Sequence, residues 1–279
     1  MDEILGPEPP EHLNEPSEPE HVTFDLKREL AEMIDADNLH GEISSFHYLM
    51  RPIFEGHHVL AMGPFHSRHT FLFICILNLI NTSTNRSPTT SSSLSPLCQS
   101  IVLTSSPSFS YVLHKIANRV GSHFHPPIHT HCCFHNRTTG AQTEATELST
   151  SPLPEIAVDT PGRMLYYLQR GALESRNLGI IVLDGVDEPF DRGFGEQVVD
   201  ILRLCSCSCS LGGERRAKKM QVVVHVGDMC RWREIWGLIG EFVGGGKEVV
   251  RVWDESVLRQ TVVLWPWRVA DWVRLGANT

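Results

Sequence analysis

A chain of 279 residues, 41% of them hydrophobic, has enough apolar side chains to bury a sizeable core and fits one large domain with tails. The formal net charge is −9, but seven acids and no Lys or Arg fall in residues 1–20, so the remainder is close to neutral at −2. That balance excludes a broad basic footprint for nucleic acid, and any such contact must come from local groups.

Residues 1–22 carry four prolines in the first sixteen positions and a run of acids, so they are expected to form a disordered acidic tail. Order is expected from about Val22, with Leu26, Leu30, Met33 and Ile34 at helical spacing. His58-Val59-Leu60-Ala61 after Gly56 reads as a short buried strand, and Thr70 to Ile80 as the helix that follows. The apolar run from Phe71 to Ile80 is interrupted by Asn78 and is about half of what a bilayer span needs, so no membrane segment is expected. Eight Cys without a charged-then-apolar leader point to reduced thiols and a cytoplasmic or nuclear location.

Asn81 to Ser110 is rich in Ser, Thr and Pro and reads as an insert, with Ile101-Val102-Leu103 a strand among loops. Tyr111 to Val120 has helical spacing, and residues 121–153 read as irregular. Beyond them come a strand at Ile156-Ala157-Val158, a helix from Met164 to Arg170 and a strand from Ile180 to Asp184. A helix from Gly195 to Leu204, a strand from Gln221 to Val226, an amphipathic helix from Arg233 to Phe242 and a strand at Val249 to Val252 complete the series. Strands alternating with helices predict an α/β fold built on a parallel sheet flanked by helices, in a single lobe.

Two stretches carry most of the chemical information. The first is Val158-Asp159-Thr160-Pro161-Gly162-Arg163-Met164. The second runs from Ile181-Val182-Leu183-Asp184-Gly185-Val186-Asp187-Glu188 to Arg192-Gly193-Phe194-Gly195-Glu196-Gln197. Together they resemble the middle of a DEAD-box RNA helicase of the translation-initiation-factor branch, which reads V-x-TPGR, a strand ending in VLDEAD-E, and RGF-x-EQ. The resemblance is loose from Phe24 to Leu264 and tight over 156–204. It implies a RecA-like, P-loop NTPase-type lobe, ATP and magnesium as cofactors, RNA as partner, and ATP-dependent RNA unwinding as the family activity. It also implies that residues 23–258 form the N-terminal of two lobes, and that 259–279, opening with Arg259 to Leu264, are the remnant of an interlobe linker and the second lobe's first strand.

Carried over residue by residue, the resemblance places a nucleotide-binding loop at Gly63-Pro64-Phe65-His66-Ser67-Arg68-His69-Thr70. Gly63 and Thr70 match; Arg68 stands for the second Gly and His69 for the Lys that serves the outer phosphates. Asp184 and Asp187 are the catalytic carboxylates that remain, and Thr70 and Asp184 are the magnesium ligands. Gly185 replaces the Glu that deprotonates the attacking water, so hydrolysis is expected to be impaired. Phe46 falls where an adenine-reading Gln is expected, Ser105 to Phe109 on the P-T-R-E-L stretch without its Arg, and Val226-Gly227-Asp228 on Ser-Ala-Thr. Thr160, Pro161, Gly162 and Arg163 are intact, and a helix end with Thr160 as N-cap and Pro161 in its first turn can bind an RNA phosphate.

Spacing alone leaves blander readings open: an ordinary strand-to-helix loop at 63–70, carboxylates that simply end a strand, and a capped helix with a surface Arg. His123, His125, His129, His131, Cys132, Cys133 and His135 form one cluster, and Cys205, Cys207 and Cys209 another. Neither has paired zinc-ligand spacing, and both read as solvated loops. The functional expectation is a helicase-like protein with impaired catalysis. The alternative is a non-catalytic remnant that binds RNA or protein partners, and a decayed gene product is a third possibility.

Overall fold

The computed structural model describes residues 24–40, 49–62, 69–80, 98–132, 141–150, 154–175, 177–185, 193–210, 220–226, 235, 237, 239–242 and 249–253. The acidic tail, Phe46, Gly63, Arg68, Asp187, Gly227, Asp228 and residues 259–279 lie outside them.

Seven strands are described: β1 His58–Met62, β2 Ser100–Thr104, β3 Thr130–His131, β4 Ile156–Asp159, β5 Ile180–Asp184, β6 Gln221–Val226 and β7 Val249–Trp253. They form one sheet in the order β3-β4-β2-β5-β6-β1-β7, and every neighbouring pair is parallel. Parallel strands covered on both faces need apolar residues at consecutive positions, which is why IIVLD at β5 is buried throughout.

The helices are α1 Arg28–Ala36, α2 His69–Leu79, α3 Pro107–Gly121, α4 Ala141–Thr150, α5 Pro161–Gln169 and α6 Gly195–Ser210, with a further helical stretch over 49–54. Alternate strand residues divide the core. Ile180 and Val182 face α1, α2 and α3, whereas Ile181 and Leu183 face α4, α5 and α6. Helix α2, HTFLFICILNL, is apolar on all sides because it is buried on all sides. Asn78 near its end is an anchor rather than an interruption: its Oδ1 accepts from the Lys27 backbone N–H at 2.9 Å. Lys27 Nζ donates to the carbonyls of Leu77, at 2.7 Å, and Ile80, satisfying groups that a helix C-terminus leaves open.

Most elements fall where the periodicity puts them, and β5 matches residue for residue. Three departures have local causes. Ile101 to Leu103 is the expected strand, but residues 107–110 are the first turn of α3, not part of the insert. Ser106 is the N-cap there, its Oγ accepting from Phe109 N at 3.3 Å, and Pro107 follows it. Residues 121–153 are not irregular throughout, since they contain β3 and α4. Helix α4, AQTEATELST, has too few apolar residues to produce a stripe. Helix α6 also runs past Leu204 to Ser210, with Cys205 buried.

Gln221, buried at the start of β6, ties the sheet to the turn before β1. Its Nε2 donates to Ile53 O at 3.0 Å and to His57 O at 2.6 Å. Gln221→Leu is expected to cost about 1–3 kcal/mol by leaving those carbonyls unsatisfied. Urea unfolding checks this as a lower midpoint with an unchanged slope.

Candidate functional site at the carboxyl edge of the sheet

In open parallel sheets ligands bind outside the carboxyl ends of the strands, and a buried polar cluster among the described residues lies there. Leu183 of β5 pairs with Val224 of β6, so Asp184 and His225 are next in line on adjacent strands. His69 opens α2, the next described element after β1. These three side chains converge. Asp184 Oδ1 is 2.7 Å from His225 Nδ1, and Oδ2 is 3.0 Å from His69 Nε2, an ion-pair contact without hydrogen-bond alignment. The Asp184 side chain is only 3% exposed. Burial works against its charge, yet His225 and His69 together hold its carboxyl well below the usual aspartate range.

The space beside this cluster, lined by Ala61, Leu72 and Val182 as well as the three polar residues, is a cavity of about 20 Å³, room for one water. Gly185 follows with φ +65°, a conformation glycine adopts freely and most side chain-bearing residues adopt only at a cost of about 1–2 kcal/mol. His69 and Asp184 are thus brought together as partners of each other. His225 has no counterpart in the expectation from sequence. Its signal was present as one polar residue in the strand QVVVHV.

A hard cation takes oxygen ligands, and both oxygens of Asp184 face imidazole nitrogens, so magnesium would compete with His225 and His69 for this carboxylate. Thr70 is half-buried in the first turn of α2. Of the His and Cys cluster, His131 is half-buried at the sheet edge, and burial with His114 nearby pulls it down to about 4. Cys133 and His135 lie outside the described residues.

The second predicted site is the start of α5. Thr160 is the N-cap and Pro161 the first helical residue, but the Thr160 side chain makes no cap bond. Instead Asp159 Oδ1 accepts from Thr160 N at 2.7 Å and from its hydroxyl at 3.4 Å. Gly162 lets α5 approach α6 closely, because a Cβ there would meet Gln197 Oε1 at 3.1 Å. Arg163 Nη1 donates to Glu144 Oε2 of α4, and Tyr167 Oη donates to the same oxygen at 2.9 Å. Glu144 is buried, whereas the Arg163 side chain is 39% exposed. Burial opposes the Arg163 charge, but Tyr167, Glu144 and Asp159 outweigh it. Glu144 and Tyr167 belong to this site, and the polar composition of α4 hid the first of them.

Residues 70–224 match the family model described as DEAD/DEAH box helicase, more than half of the chain. An ATP-dependent RNA helicase eIF4A from Pyricularia oryzae is 28% identical over 182 residues, covering 65% of this chain and 42% of that protein. An ATP-dependent RNA helicase FAL1 from Candida albicans is 27% identical over 106 residues, covering 38% and 25%. The chain therefore spans less than half the length of these curated relatives. Among solved structures, a DEAD box protein from Methanococcus jannaschii superposes with a TM-score of 0.56 at 18% identity, over 82% of this chain and 54% of that one. Dbp5 from S. cerevisiae, solved with Nup159, Gle1, IP6 and ADP, gives 0.56 at 14% identity, over 82% and 52%. These superpositions show the RecA-like helicase fold, and no helix among the described residues is long and apolar enough to cross a membrane. With the Thr160 to Arg163 helix end and Asp184 closing β5 both in the matched span, this chain belongs to the DEAD/DEAH box helicase family.

Proposed function

We propose that this chain is a DEAD-box lobe, residues 23–258, that touches RNA through its backbone and does not hydrolyse ATP. The observation that carries the reading is the closed His69, Asp184 and His225 cluster. In the family activity the position of Asp184 serves magnesium and that of His69 the outer phosphates. Here the two groups face each other at 3.0 Å, so each occupies the other. Gly185 supplies no general base, a contribution of about 10²–10⁴ in rate. Two elements that act on one transition state are missing together, so restoring either alone should not recover turnover.

RNA contact is assigned to the start of α5, where helix-end amides meet phosphate without reading bases. With a body charge near −2, few phosphates can be neutralised, so affinity belongs in the non-specific range of about 10⁻⁴–10⁻⁶ M. The likeness to eIF4A and FAL1, each described as an ATP-dependent RNA helicase, supports RNA as the ligand of this chain. Nup159 and Gle1, found with Dbp5, support protein partners as a second kind of contact.

The test is RNA-stimulated phosphate release from ATP and magnesium, with Asp184→Asn alongside. Background turnover in both proteins is the expected result. Turnover in the range of intact helicases, abolished by Asp184→Asn, would overturn the reading.

A further inference from the structure

We infer that Glu144 sets how strongly the Thr160 to Arg163 helix end attracts RNA phosphate, by neutralising Arg163. The inference rests on the RNA reading above. Arg163 is the sole basic residue of α5, PGRMLYYLQ, so its charge dominates that helix end. Glu144 comes from α4 and is 5% exposed, and its Oε2 receives both Arg163 Nη1 and Tyr167 Oη. Asp159 is a second acid acting on the same guanidinium, with its Oδ1 also engaged by Thr160.

The magnitudes decide what an incoming phosphate can do. Breaking a buried ion pair from one side costs several times what an exposed pair contributes. A phosphate at the surface therefore does not draw Arg163 away from Glu144. It meets a pair whose net charge is zero. Little counterion is released at this residue, although the hydrogen-bonding geometry of the helix end is kept. Glu144 is thus a positioning residue that holds the guanidinium in place while muting its charge.

Glu144→Gln separates these effects, because the amide oxygen still accepts from Tyr167 while the negative charge is gone. Binding of labelled oligouridine and oligoadenosine, followed by fluorescence anisotropy across a salt series, reads the outcome. Glu144→Gln is expected to bind about three- to tenfold tighter at about 0.1 M salt, equally for both sequences, with a salt slope steeper by about 0.7. The double variant Glu144→Gln/Arg163→Gln, neutral like the original pair, should return to the original slope. Glu144→Leu serves as a second neutral variant should the Gln protein fail to fold.

Measurable binding with an unchanged slope in Glu144→Gln and Glu144→Leu overturns the inference and leaves the RNA reading intact. Weaker binding also overturns it, since Glu144 would then favour phosphate contact. No binding by any of these proteins at the lowest salt overturns both.

Discussion

Asp184→Ala is expected to cost about 3–5 kcal/mol of folding stability, the range for breaking a buried ion pair from one side. The side chains of Asp184, His69 and His225 are 3%, 9% and 15% exposed, so water cannot readily replace the lost carboxylate. Two imidazoles would be left beside a cavity of about 20 Å³ without their common partner. Asp184→Asn should cost less, because an amide keeps the volume and one acceptor. The pH dependence has a definite sign. A carboxylate whose folded pKa lies below its ordinary value contributes stability in full above that value, 3.8, and loses it as the pH falls toward the folded one. The original protein should therefore lose stability more steeply below about pH 4 than Asp184→Asn does. Denaturant unfolding at neutral and acid pH checks both points. A change under about 1 kcal/mol for Asp184→Ala, as for a surface substitution, would show that the cluster does not hold the carboxylate.

The elements that positioned this cluster were easier to read than the cluster itself. IIVLD is a continuous apolar run closed by an acid, and a strand buried on both faces reads no other way. The start of α5 announced itself through Thr160 and Pro161, whose preferences are local. The contact between Asp184 and His225 is not local. It joins residues 41 positions apart and depends on the parallel register of β5 with β6, which no periodicity in either strand specifies. His69 was identifiable as the residue in the Lys position. Its turn toward Asp184 required knowing that α2 begins at the same edge where β5 ends.

Strand order was not legible in the sequence, because parallel neighbours are separated by whole helices and apolar alternation carries no record of who pairs with whom. Glu144 was hidden for a different reason. Helix α4 takes its place through Ala145 and Leu148 against the second core layer, too thin an apolar face to stand out among Thr, Gln and Ser. A buried Glu in such a helix becomes intelligible only when its partners, Arg163 and Tyr167, come into view.

Those partners make Arg163→Ala a stability variant as well as an RNA-binding one, with an expected loss of about 2–3 kcal/mol. The full range for a severed buried pair is about 3–5 kcal/mol. Part of that is recovered here because the Arg163 side chain is 39% exposed and its charge is partly screened. What remains is the cost of leaving the buried Glu144 carboxylate without its cationic partner Arg163. If that is the cause, removing the stranded charge should repair the damage. Arg163→Ala/Glu144→Gln should be more stable than Arg163→Ala alone, with a coupling of about 1–3 kcal/mol in a double-mutant cycle. Urea midpoints for the four proteins give the cycle directly. Strict additivity would mean that Arg163 and Glu144 are neighbours without an energetic bond. A loss of RNA affinity in Arg163→Ala is interpretable as a phosphate contact only when measured well below the unfolding transition, where the folded fraction of the variant still matches that of the original protein.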